Sequence, residues 1–348
     1  MADRLVVFAP NWLGDAVMAL PALTALRRHW PGAHVAVAAR ASVAPLYGMV
    51  PGVDEVRTLE TTSGLAAVKR WRRDALRLAG GQFDTAVLLP NSFLSAWIAS
   101  QAGIPERWGY AADLRARLLT RPVPRPREAV HQADYYLALV EALGVSRADR
   151  VARIEVSDAA REEAAHALAA AGVGAADRYV AMAPGAAYGR AKQWPPERYA
   201  ALAARLHATA GLRTVLVGAK SDGMVCREIG ERAARLAVDA PAVADLSGRT
   251  TVPGVAGVLA RAAAVVANDS GAMHLAGAVG VPVVAVFGST NEQQTSPLTA
   301  RAGQPVRIVT HPVWCRPCML RECPIDHRCM REIGDDHVMS ALENLVIS

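Results

Sequence analysis

Aromatic residues make up only 5% of the 348-residue chain, and cysteine occurs five times, four of them within one 15-residue stretch. No run of 18 uncharged apolar residues is present, which excludes a membrane-spanning helix. The opening segment MADRLVVFAPNWLGD has one short apolar run that soon meets Asn11 and Asp15. It lacks the apolar core and small-residue cleavage site of a secretion signal, so a cytoplasmic location is expected. No run of basic residues interleaved with aromatics resembles a nucleic-acid-binding motif, and nucleic acid is therefore not an expected partner. What the chain does have is apolar residues, 52% of the total, too many for disorder. At roughly 100–200 residues per domain, two domains are expected.

Charge is unevenly spread. Residues 1–150 carry 18 Lys+Arg against 13 Asp+Glu, whereas residues 151–348 carry 20 against 19. An anionic partner is expected to meet the first half. The basic stretch Gly64–Ala79, with Lys69, Arg70, Arg72, Arg73 and Arg77 around Trp71, reads either as a solvated helix face or as a membrane-apposed anion surface. Arg115, Arg117 and Arg121 add to it.

Short β-branched runs alternate with Ala/Leu/Arg-rich stretches, the pattern of parallel sheets with crossover helices. In the first half Leu5–Phe8, His34–Ala38 and Thr85–Leu89 read as strands, and helices are expected near Ala16–His29, Gln132–Leu143 and Asp158–Ala170. The three prolines of Arg121–Glu128 exclude helix or central strand and predict a surface loop. Alternation restarts at Tyr179–Ala183 and runs to Val283–Phe287, which places the domain junction at 172/173, beside Gly172 and Gly174. The expected fold is α/β, two facing Rossmann-like domains with parallel sheets and an interdomain cleft that takes ligands at the carboxyl ends of the strands.

Four segments could carry chemistry. Asn11-Trp12-Leu13-Gly14-Asp15 joins a buried strand to a helix, and Asp15 reads either as a base at the cleft or as a helix N-cap. Asn268-Asp269-Ser270-Gly271-Ala272-Met273-His274 places free amides and a helix dipole where a diphosphate could sit, with His274 one turn on. The small-residue loop from Gly185 to Pro195 holds Arg190 and Lys192, either phosphate ligands or solvated cations, and Asp222 could take a ribose hydroxyl or cap its own helix. Finally, Cys315-x2-Cys318-x4-Cys323-x5-Cys329 has a metal-knuckle first spacing, which points to a structural metal rather than a catalytic one.

Taken together, NWLGDAVMALPAL, NSFLSAWIASQAGIPERWGY, PGAAYGRAKQWP and NDSGAMHLAGAVGVPVVAVFGST resemble the ADP-heptose:lipopolysaccharide heptosyltransferases. These are glycosyltransferase family nine enzymes of the GT-B fold, and the likeness is nearest to members that add the second heptose of the inner core. It covers nearly the whole chain, and the Cys-rich tail is shared by many of those members. The resemblance implies an acceptor domain at 1–172 and a nucleotide-sugar domain at 173–348, the latter including the Cys-rich segment 311–330.

It also implies that Asp15 is the base and that Lys192 contacts phosphate. Asp269, Ser270 and Gly271 then form the diphosphate turn with His274 beside it, and Gly185 and Asp222 lie at the nucleotide. Asn11, Trp12, Lys69, Arg72, Arg115 and Arg117 are the candidate acceptor contacts. Where relatives place hydroxyls in the phosphate loop, this chain has Ala186 and Ala187, so backbone amides must serve there.

ADP-heptose is the implied donor, the anionic lipopolysaccharide inner core the implied acceptor, and no cofactor is required for catalysis. The enzyme would work at the inner face of the inner membrane. A heptosyltransferase acting on a different core or protein acceptor is the nearest alternative, and two other readings fit parts of the pattern. A GT-B-like nucleotide-sugar epimerase would alter the donor sugar without any acceptor. A metal-knuckle interaction protein would depend on its cysteines and not on Asp15.

Overall fold

The strands form because β-branched and small apolar residues run without polar interruption, as in a sheet buried on both faces. In the computed structural model, which describes residues 2–60, 67–236 and 243–346, the chain divides into two units, Met1–Ala152 and Arg153–Ser348.

The first unit contains β1 (Arg4–Phe8), β2 (His34–Arg40), β3 (Glu55–Leu59), β4 (Thr85–Leu88), β5 (Glu106–Tyr110) and β6 (Arg121–Val123), in the order β3-β2-β1-β4-β5-β6. The second contains β7 (Tyr179–Ala183), β8 (Arg213–Leu216), β9 (Val243–Asp245), β10 (Ala264–Asn268), β11 (Val283–Phe287) and β12 (Val306–Thr310), in the order β12-β11-β10-β7-β8-β9. Every pairing is parallel. The two sheets thus repeat one doubly wound order. Each reverses direction at its centre, between β1 and β4 in one and between β7 and β10 in the other, where ligands of such sheets bind.

Two expectations change. Arg121–Val123 is a strand rather than a loop, with Pro122 opposite Gly109. It lies at the sheet edge, the place where proline's missing amide is tolerated. The division of the chain falls at 152/153, not 172/173. The helix Asp158–Ala170 belongs to the second unit because it packs on the helix Val252–Arg261. A β-carbon on Gly257 would lie 2.5 Å from the Ala160 carbonyl oxygen and 2.8 Å from Ala164 Cβ. Glu163 also accepts from the Thr251 amide and hydroxyl, both at 2.7 Å.

Proline sets another boundary. The expected helix from Ala16 to His29 is two, Leu13–Met18 and Leu20–His29, with Pro21 in the first turn of the second. Pro21 has no N–H for the carbonyl four residues earlier, so the first helix ends before it. No helix among the described residues is long and apolar enough to cross a membrane.

Candidate active site

At the centre of the second sheet, β10 ends in Asn268, whose buried amide group fixes everything around it. Its Oδ1 accepts from the Trp194 backbone amide and the Tyr199 hydroxyl, each at 3.0 Å, and its Nδ2 donates to the Pro184 carbonyl at 2.6 Å. Trp194 itself is fully buried, edge-on to Tyr199, with Nε1 donating to the Ile333 carbonyl. Asn268 therefore holds the loop after β7 against the end of β10. Only a side chain with both a donor and an acceptor could make all three bonds.

The next residue, Asp269, is buried and collects cations and hydroxyls. Its Oδ2 accepts from Lys192 Nζ at 2.7 Å, Thr290 Oγ1 at 2.7 Å and Thr295 Oγ1 at 3.4 Å. His274, also buried, places Nε2 4.0 Å from the other carboxylate oxygen. Lys192 lies over the Tyr188 ring, 4.9 Å from its centroid.

Ser270 follows with extended backbone, and its hydroxyl is buried without a partner among the described residues. The helix Gly271–Val279 then begins, and its leading amides have no intrahelical acceptor. An ammonium, a hydroxyl and a helix N-terminus thus stand together at the switch point, the donor set a diphosphate needs. The Asp269 carboxylate is thus engaged by Lys192, Thr290 and Thr295. It is the acceptor that aims Lys192.

Gly185 and Asp222 are brought together by the fold. Asp222 Oδ2 accepts from the Ala219 amide at 2.8 Å, so the capping role is real. The same carboxylate occupies the space beside two glycines: a β-carbon on Gly185 would lie 2.3 Å from Oδ2, and one on Gly218 2.8 Å.

In the first unit, Asp15 is the third residue of the helix Leu13–Met18, at the β1 side of the switch point. Trp12 occupies the N-cap with extended backbone and makes no side-chain cap bond, so the capping alternative for Asp15 does not hold. Asp15 is half-buried, and behind it stand two buried tyrosines. Burial, and then the Asp15 charge, push the hydroxyls of Tyr47 and Tyr136 well above the usual tyrosine range. Both stay protonated beside the carboxylate. Asn11 and Trp12 are exposed, Trp12 by 52%.

The basic residues divide. Lys69 and Arg72 are exposed on the helix Ala67–Ala79, and Arg117 on the turn Ala116–Leu118. The expected start of that first helix, Gly64–Ala66, lies outside the described residues. Arg73 and Arg77 pair with Glu60 at 3.1 and 2.7 Å, and Trp71 packs edge-on against Trp97 rather than facing out.

Arg115 is no surface contact, contrary to expectation. It is fully buried, with Nε donating to the Tyr110 carbonyl and a terminal nitrogen to Pro90 O, Ser92 O and Ser95 Oγ. Burial lowers its pKa to about 10, so it remains charged at neutral pH. Arg115→Ala leaves those carbonyls unpaired and is expected to cost about 2–4 kcal/mol, read as a lower urea midpoint with unchanged slope.

The Cys-rich segment is the largest surprise. Its four free thiols line one cavity of about 50 Å³, together with Ala191 and Ser289. Among the described residues, however, no three Cys, His, Asp or Glu side chains are grouped to hold a metal ion. Burial, followed by the charges of Cys318, Cys315 and Cys323, pushes the Cys329 thiol up to about 11, and burial pushes Cys226 up to about 12. Because the thiolate is the nucleophile, iodoacetamide at pH 8 is expected to label Cys315, Cys318 and Cys323 well before those two. Peptide mass mapping of a time course reads that order.

A family profile, glycosyltransferase family 9 (heptosyltransferase), matches residues 71–328. Lipopolysaccharide heptosyltransferase 2 of Escherichia coli K12 is 30% identical over 316 residues, 88% of each chain. The protein of the same name from Salmonella typhimurium LT2 is 30% identical over 315 residues, again 88% of each. The solved structure of E. coli ADP-heptose LPS heptosyltransferase II superposes with a TM-score of 0.84 at 27% identity, covering 99% of this chain and 98% of that one. Two units of this doubly wound topology are those of a GT-B glycosyltransferase. Within that class, the chain belongs to glycosyltransferase family 9.

Proposed function

We propose that this enzyme moves L-glycero-D-manno-heptose from ADP-heptose to the first heptose of the lipopolysaccharide inner core, with inversion at the anomeric carbon. The observation that carries the donor half is the Lys192–Asp269 pair beside the helix Gly271–Val279. The names of the relatives support the sugar and the acceptor.

In this reading the second unit holds ADP-heptose. Lys192 and the amides after Ser270 take the charge that grows on the departing ADP, which stabilises the transition state more than the bound ground state. Asp222, between Gly185 and Gly218, lies toward the nucleotide. Asp15 removes the proton from the attacking acceptor hydroxyl. Tyr47 and Tyr136, held protonated, do not compete with it for that proton. No step draws on a cofactor.

The acceptor is an anionic glycolipid, which suits the basic excess of residues 1–150 and the exposed Lys69, Arg72 and Arg117. Asn11 and Trp12 flank the base. The enzyme works from the cytoplasmic side, docked peripherally on the inner membrane where that lipid lies.

The test is transfer from ADP-heptose to lipid A–Kdo₂–heptose, run beside the same acceptor without heptose, with ADP release and product mass both read. Transfer confined to the heptosylated acceptor is the expected result. Transfer only to the acceptor without heptose would assign the enzyme to an earlier step. Conversion of the donor sugar with no acceptor present would favour the epimerase.

A further inference from the structure

The Cys-rich segment, residues 311–330, lies across the two loops that build the donor site. On the loop after β7, the Ala191 amide donates to the Arg321 carbonyl at 2.9 Å, and the Tyr188 hydroxyl to the Met319 carbonyl at 2.9 Å. His327 Nε2 is 3.0 Å from the Ala191 carbonyl oxygen. Lys192 is the next residue along.

On the loop after β11, Arg316 donates to the Gly288 carbonyl at 2.8 Å and to the Glu292 carboxylate at 2.6 Å, and the Met319 amide donates to the Ser289 carbonyl at 2.8 Å. Thr290, one residue further, is the hydroxyl on Asp269. Each arm of the segment thus ends one residue from a member of the Lys192–Asp269–Thr290 cluster.

Two glycines permit this approach. A β-carbon on Gly189 would lie 2.3 Å from the Arg321 carbonyl oxygen and 2.7 Å from its Cα. One on Gly288 would lie 2.4 Å from Met330 Sδ. Gly189 has φ 162°, an extended conformation open to any residue, so what keeps a side chain out is the segment against it.

We propose that this segment is a strap that positions both donor loops, acting through Gly189 on one and Arg316 on the other. Donor binding and closure of the strap are then reciprocally linked. The inference rests on the assignment of the donor site to these loops. Reciprocity follows from thermodynamics: if the strap's position changes donor affinity, the bound donor must change the strap's freedom by the same factor. The half-exposed Cys315, Cys318 and Cys323 report that freedom directly, since they sit on the strap beside the Ala191 and Ser289 backbone.

The experiment uses the full chain and ADP as probe. Gly189→Ala and Arg316→Ala are each expected to raise the Kd for ADP by about tenfold, a loss of about 1.4 kcal/mol. The donor KM rises with it, and the acceptor KM does not change. Arg205→Ala, which removes an exposed ion pair to Asp335 in the same unit, leaves the Kd as it was.

In the wild type, saturating ADP is expected to slow iodoacetamide labelling of the three half-exposed thiols several-fold. In the two variants that protection shrinks, a change that simple loss of stability would not produce. Should Arg316→Ala fail to fold, Gly189→Ala alone decides. ADP affinity within twofold of wild type in the folded variants, or labelling rates indifferent to ADP, overturns the strap. A wild type that binds no ADP overturns the donor-site assignment, and the strap's role with it.

Discussion

Asp15→Asn is expected to lower kcat for heptose transfer by about 10²–10⁴, the usual contribution of a positioned general base. The Kd for ADP should stay unchanged. Magnitudes separate this from a structural effect. Asp15 is not the cap of its helix, and its charge in the first turn is worth about 0.3–1 kcal/mol. A catalytic loss of that size corresponds to about 3–5 kcal/mol in the barrier. Single-turnover kinetics with saturating donor and acceptor, beside a thermal melt, read both numbers. A melt shifted by many degrees with kcat nearly intact would make Asp15 structural.

The isosteric change also speaks to the tyrosines. Asparagine removes the charge that helps raise the Tyr47 and Tyr136 pKa values, while burial, the larger cause for both, remains. Both hydroxyls therefore stay protonated in the variant. Neither becomes a substitute base, and no activity should return at high pH. A kcat of Asp15→Asn that climbs toward wild type above pH 9 would point to a tyrosinate taking over the proton.

What the sequence made legible was local. The doubly wound units follow from β-branched runs alternating with helical stretches, and the turn after β10 from small residues between a strand and a helix. Aspects that depend on distant pairing were not legible. Lys192 and Asp269 are 77 residues apart, and nothing in either segment shows that the cation is held by the carboxylate before any phosphate arrives.

Arg115 reads as one of several arginines in a basic stretch. Its burial follows from three carbonyls that turn inward around Pro90, Ser92 and Tyr110. Likewise, four cysteines suggest a metal by spacing, whereas the packing of their segment across the loops after β7 and β11 depends on Gly189 and Gly288, which look like ordinary loop glycines. The helix Asp158–Ala170 was recognisable as a helix, but its partner was set by the small surface of Gly257 far downstream.

Lys192→Met is expected to lower kcat by about 10²–10³, the cost of losing one preorganised contact to developing charge. The substitution also leaves the Asp269 carboxylate buried with only hydroxyls and His274 around it. Breaking a buried pair from one side costs up to about 3–5 kcal/mol, so a lower melting temperature accompanies the loss of activity. The two effects separate in the double variant.

Asp269→Asn removes the stranded charge while keeping the shape and an acceptor for Thr290. Lys192→Met/Asp269→Asn should therefore melt higher than Lys192→Met alone, yet be no more active. Asp269→Asn alone should lose less activity than Lys192→Met, because the ammonium is still present but less firmly aimed. If Asp269 acts only through Lys192, the double variant costs no more in kcat than the lysine change, and the cycle is strongly non-additive. Additive losses would mean that Asp269 meets the substrate in its own right, and the carboxylate would then need a role at the sugar rather than at the diphosphate.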